Sequence, residues 1–228
     1  MSRTGIITLI IANLIVALQT FRHEWGYYET LLIYWNEVVI LGGYNVLRLT
    51  VVGVFGAAPL GASAARWIDL GSVLNRFLFT AVGVVFFVLK FGAFAFGIGV
   101  FVLLLPAMLG AESGAGGASV PRALSAAGPG LAIATAALCL SHGVSLVRNF
   151  LMNREYDRIN ILQLVFWPYV RMSLVGAVLL LGLAAARVLP GLGRETAFAV
   201  AMVLIKLIVD AVSHTLEHRS LVSRPSAE

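Results

Sequence analysis

Too few charged side chains are present to clothe a water-soluble globule: they account for 12% of the 228 residues, against 60% hydrophobic. A soluble surface needs more polar area than that, so the surrounding solvent is expected to be a lipid bilayer. There is one cysteine, Cys139, inside an apolar run, which excludes an intramolecular disulfide and a thiolate zinc cluster. Short segments of alternating polarity, the mark of a transmembrane barrel, are missing. Lysine is almost absent, with only Lys90 and Lys206. The arginines that make up the net charge of +5 are scattered between apolar runs, and without a basic face the chain is expected to have no nucleic-acid partner. There is also no Gly-rich phosphate loop, no serine-hydrolase elbow and no HExxH signature. The neighbours Ser141 and His142 project about 100° apart on a helix, which excludes them as nucleophile and base. No small-residue cleavage site follows Met1 to Phe21, so that stretch is expected to remain as a first helix.

What is present is a series of continuous apolar runs long enough to cross hydrocarbon as helices, because backbone polar groups in lipid must be satisfied within the segment itself. The expected fold is all-α, a polytopic transmembrane bundle of about six spans forming one integral membrane domain over residues 1–228. The spans are placed at 4–21, 27–54, 73–108, 131–151, 168–189 and 196–213. Residues 57–71 read as a connection partly on the membrane surface, residues 110–130 as a Gly, Ala and Ser-rich loop, and residues 152–163 as a polar connection. The third run exceeds one perpendicular crossing and is expected to form one long helix, with Ala95 and Gly99 as a small-xxx-small pair. Loop arginines on the amino-terminal side are Arg3, Arg66, Arg76, Arg154, Arg158, Arg219 and Arg224, against Arg22, Arg122, Arg187 and Arg194 opposite. That asymmetry places both termini in the cytoplasm of a bacterial inner membrane.

Ionisable residues within such runs face protein or a cavity, since lipid penalises them. Glu37, Lys90 and Lys206 are expected nearest the midplane, with Arg48, Arg148, Asn149, Arg171, Asp210 and His214 towards the cytoplasmic ends. Helical spacing aligns Tyr34, Glu37, Tyr44 and Arg48 on one stripe, His142, Ser145 and Asn149 on another, and Lys206, Asp210, His214 and Glu217 on a third. Together with Asn45, these groups predict a polar cluster on the cytoplasmic side, with Glu37 paired to Lys90 or Lys206 and Asp210 paired to Arg148 or Arg171. His142, Asp210, His214 and His218 also offer N and O ligands for a divalent metal, Asp210 and His214 being one turn apart, although no complete metal motif is present.

Several segments in order resemble an uncharacterised bacterial family of polytopic membrane proteins, a domain of unknown function. They are Tyr34-Trp35-Asn36-Glu37 with Gly43-Tyr44-Asn45-Val46-Leu47-Arg48, then Ser141-His142-Gly143-Val144-Ser145 with Asn149-Phe150. Pro168-Tyr169-Val170-Arg171 and Lys206, Asp210, His214, Glu217 and His218 complete the set. The resemblance implies a membrane fold and no established activity. The family pattern places histidines around the positions held here by Lys90, Ile98 and Gly176. This chain lacks all three, so a metal site built on them would be incomplete. Three roles remain open: a metal-binding protein or metalloenzyme, a proton or small-solute carrier, or a structural partner for another membrane protein or for copies of itself.

Overall fold

The computed structural model describes residues 27–56, 71–113, 120–188 and 205. The spans expected at 4–21 and 196–213 therefore fall outside the described residues, apart from Ile205. Four α-helices make up most of what is described: α1 (Tyr27–Phe55), α2 (Val73–Ser113), α3 (Val120–Ser145) and α4 (Ile161–Val188). A π-helical segment, Leu146–Met152, continues α3, and a short 3-10 turn, Glu155–Asp157, leads to α4.

Among the described residues three helices are long and apolar enough to cross a membrane: Thr30–Phe55, Val73–Leu104 and Gly130–Met152. Their outward faces fit that environment. Phe77, Leu89 and Phe96 of α2 are 61%, 67% and 72% exposed, an aromatic and aliphatic surface that water would disfavour.

Helix α1 is the hub, packing against α2, α3 and α4 in turn. It runs antiparallel to α2, and the two approach through glycines on both sides. A Cβ added at Gly99 would lie 2.6 Å from the Trp35 ring, and one at Gly42 would lie 2.5 Å from Phe91. At Gly53 the added atom would collide with the Thr80 side chain. Each helix therefore receives side chains of the other into gaps that only glycine leaves, the close packing that replaces the hydrophobic effect between helices in lipid.

The buried core gathers Val38, Leu49 and Val52 of α1, Phe87, Phe91 and Ala95 of α2, Phe150 of the π-helical segment, and Ile161, Leu164 and Met172 of α4. The rings of Phe87 and Phe91 stack at 5.0 Å, and Tyr169 of α4 meets Phe91 edge-on at 5.9 Å.

Two boundaries differ from the sequence expectation. Part of the expected 110–130 loop is helical, since α3 begins at Val120 and accommodates Gly128 as a kink with φ 48°, a conformation glycine adopts without a Cβ penalty. Helix α4 begins at Ile161 rather than Pro168, which lies inside it. Its start is fixed by a reciprocal cap: the Gln163 backbone N–H donates to Asn160 Oδ1 at 2.9 Å, and the Asn160 backbone N–H donates to Gln163 Oε1 at 3.3 Å.

Candidate functional site

Four polar side chains of α1 reach different neighbours, each through a specific acceptor. Trp35 Nε1 donates to the Ala95 carbonyl of α2 at 2.8 Å. Asn36 Nδ2 donates to Thr135 Oγ1 of α3, whose own hydroxyl donates to the Leu131 carbonyl at 2.7 Å. Tyr44 Oη donates to the Cys139 carbonyl of α3 at 2.8 Å, and Asn45 Nδ2 donates to the Leu164 carbonyl of α4 at 2.9 Å.

Three of these acceptors share one sequence feature. Four residues beyond Ala95 stands Gly99, four beyond Cys139 stands Gly143, and four beyond Leu164 stands Pro168. An accepting carbonyl in a helix lies beside the side chain one turn on, so a glycine there opens the approach. At Gly143 an added Cβ would lie 3.0 Å from Tyr44 Oη. Proline acts differently: it has no N–H to give to residue i−4, so the Leu164 carbonyl lacks its ordinary helical partner. Asn45 supplies the missing donor.

Around these contacts lie the residues singled out from the sequence. Glu37 is 8% exposed, well within the bundle, and Asn45 and Asn149 are buried. Asn149 Nδ2 is 3.4 Å from Ser145 Oγ, so two members of the expected α3 stripe do meet, one turn apart across the start of the π-helical segment. His142 is half-buried with its ring 6.0 Å from that of Tyr44. Arg48 is half-buried, its guanidinium carbon 5.5 Å from the centre of the Phe150 ring. Arg171 falls on α4, while Lys206, Asp210, His214 and His218 lie outside the described residues.

Lys90 departs from expectation. It is on the exposed face of α2, with its ammonium 5.9 Å from the Phe86 ring, whereas Glu37 is buried. The physical reason is angular: the α2 residues facing the core are Phe87, Phe91 and Ala95, at helical spacing, and Lys90 falls outside that stripe.

No group of three His, Cys, Asp or Glu side chains able to hold a metal occurs among the described residues. Of the candidate ligands only His142 is described. A cavity of about 770 Å³ opens between α2 and α4, lined by Phe94, Gly97, Ile98, Phe101, Gly176 and Leu180 among others. It is apolar and includes none of the candidate polar residues. Chemically, the described part of the site is a set of interhelical clamps around one buried carboxyl, on Glu37.

Sequence inspection missed Trp35, Thr135 and the three accepting carbonyls as parts of this arrangement. The available signal was the glycine or proline four residues after each acceptor. No curated protein and no solved structure matches the chain. A family model does match, over residues 1–227, and the chain accordingly belongs to DUF6498, a family of unknown function.

Proposed function

We propose that this chain is a six-span protein of the bacterial inner membrane, with both termini in the cytoplasm, that works by assembling with another membrane protein. The polar residues of α1 then serve architecture: engaged with neighbouring helices, they fix the bundle and leave its outer faces for recognition.

The observation that carries this proposal is Lys90. It stands near the middle of the apolar segment Val73–Leu104, on an exposed face and beside an aromatic ring. An ammonium near the centre of a bilayer costs about 2.5–3.5 kcal/mol on insertion scales, so a chain that keeps one there gains by covering it. Pairing with a carboxylate on a partner helix removes the cost. The segment Val73–Leu104 contains no Asp or Glu, so a second copy docked by the same helix would bring no carboxylate from it to Lys90, which favours a different protein as the partner.

The test is blue-native electrophoresis of gently solubilised native membranes. The wild-type chain is expected to migrate well above the mass of one chain. Lys90→Leu should shift it to the single-chain position, with the association weakened at least about a hundredfold by loss of a buried ion pair. Lys90→Arg should retain the complex. Migration of the wild type as a single chain, or a complex indifferent to Lys90→Leu, contradicts the proposal.

A further inference from the structure

One end of the bundle collects positive charge from several elements. Arg48 lies near the end of α1, Arg76 in the first turn of α2, Arg148 in the π-helical segment, and Arg154 and Arg158 in the connection to α4. The described carboxylates there are Glu155 and Asp157, leaving three positive charges in excess.

The arginines are organised around an aromatic pair. The rings of Phe150 and Tyr156 lie 6.2 Å apart, with the Arg48 guanidinium 5.5 Å from Phe150 and the Arg154 guanidinium 5.8 Å from Tyr156. Arg76 joins from α2, where Nη2 donates to the Gly56 carbonyl at the end of α1. A Cβ at Gly56 would lie 3.1 Å from the Tyr156 carbonyl, so Arg76 is anchored immediately beside the same pair. Stacking on rings orients guanidinium groups while leaving their in-plane N–H donors available for a fork-like contact with phosphate.

Two of these cations are only partly satisfied. Among the described residues Arg76 has a backbone carbonyl as its partner and no carboxylate, and its buried Nε has no hydrogen-bond partner. Arg154 uses Nε alone, 3.1 Å from Asp157 Oδ2 and 3.2 Å from Tyr156 Oη. The hydrogen bond to Tyr156, followed by the charges of Tyr156 and Asp157, raises the pKa of Arg154 further, so it stays cationic at any physiological pH.

We infer that this end of the bundle binds the headgroup of an anionic phospholipid through Arg76 and Arg154, with Arg48, Arg148 and Arg158 adding to the local potential. Exposed apolar side chains flank the arginines: Phe55 beside Gly56, Leu74 and Phe77 around Arg76, and Met152 before Arg154. They give acyl chains a surface continuous with the headgroup site, which a free phosphate would not use. Anionic lipids concentrate positive side chains at a membrane surface in this way. The inference rests on the chain lying in a bilayer, though not on its having a protein partner.

The experiment incorporates the full chain into phosphatidylcholine nanodiscs, delipidates a matched sample in mild detergent, and measures binding of short-chain phosphatidylglycerol, phosphatidylcholine and inorganic phosphate by native mass spectrometry. Phosphatidylglycerol should bind at least tenfold more tightly than phosphatidylcholine. Arg154→Gln, at an exposed side chain, should weaken that binding about fivefold, and Arg76→Gln with Arg154→Gln about thirtyfold. Phosphatidylcholine binding should not change. The Lys versions of both variants keep the charge and should retain the preference, which separates loss of binding from loss of fold. Equal binding of the two lipids, or a double Gln variant that binds phosphatidylglycerol normally, overturns the inference. Inorganic phosphate competing as effectively as the lipid overturns it in favour of a free-anion site. Failure to enter phosphatidylcholine nanodiscs at all would instead refute the membrane assignment.

Discussion

Gly99→Ala is expected to destabilise the bundle by about 3 kcal/mol. The added carbon would lie 2.6 Å from the Trp35 ring, well inside contact distance. The ring cannot simply rotate away, because its Nε1 donates to the Ala95 carbonyl one turn earlier on the same helix. Either α1 and α2 separate, at an overpacking cost of about 1–3 kcal/mol, or the indole leaves and forfeits a hydrogen bond of about 1 kcal/mol as well. Gly97→Ala and Gly92→Ala on the same helix are the controls, since no atom lies within 4 Å of an added Cβ at either position. There the better helix propensity of alanine should leave stability unchanged or raise it by about 0.5–1 kcal/mol. Reversible unfolding in mixed micelles measures all three. Equal behaviour of the three variants would mean that α1 and α2 do not meet through Gly99.

The second large effect is a coupling rather than a single loss. Asn45→Ala removes the donor to the Leu164 carbonyl, and because Pro168 has no N–H the carbonyl has no helical donor to return to. A buried acceptor left unsatisfied costs about 1–3 kcal/mol, so a loss near 2 kcal/mol is expected. In a Pro168→Ala background the restored N–H can reach the same carbonyl, and Asn45→Ala should then cost under about 1 kcal/mol. The double-mutant cycle should therefore return an interaction of at least about 1 kcal/mol. Additive effects would separate Asn45 from the proline.

These two sites show what could and could not be read from the sequence. Helix α1 was expected over residues 27–54 and occupies Tyr27–Phe55, and the run expected over 73–108 forms one helix, Val73–Ser113. Long apolar stretches fix their own state, because a backbone in hydrocarbon has few alternatives. The 110–130 segment was less legible: Gly128, Pro129 and Gly130 read as a loop, yet helix runs from Val120 with only Gly128 out of helical conformation. Pro168 misled in the same way as a helix start, although Asn160 and Gln163 carry the cap a few residues earlier.

The polar residues were harder still. Their helical stripes were visible, but pairing charge with charge overlooked the backbone as the commonest partner of buried side chains. Glu37 and Lys90 share a depth by sequence, while the core-facing stripe of α2 runs through Phe87, Phe91 and Ala95 and turns Lys90 outward. The π-helical segment left no sequence signal. It places both Asn149 and Phe150 in the interior, and Phe150 beneath the Arg48 guanidinium.

The central claim is that α2 presents one face to its neighbours and the other to lipid. Nitroxide scanning along Val73–Leu104 in reconstituted liposomes measures this directly, through collision with oxygen, which concentrates in hydrocarbon, and with a water-soluble nickel chelate. Labels at 77, 82, 85, 89 and 96 should be reached by oxygen and not by nickel, while labels at 87, 91, 95 and 102 should be shielded from both. Nickel access along the 77–96 face, or oxygen access without helical periodicity, would contradict a membrane-spanning bundle.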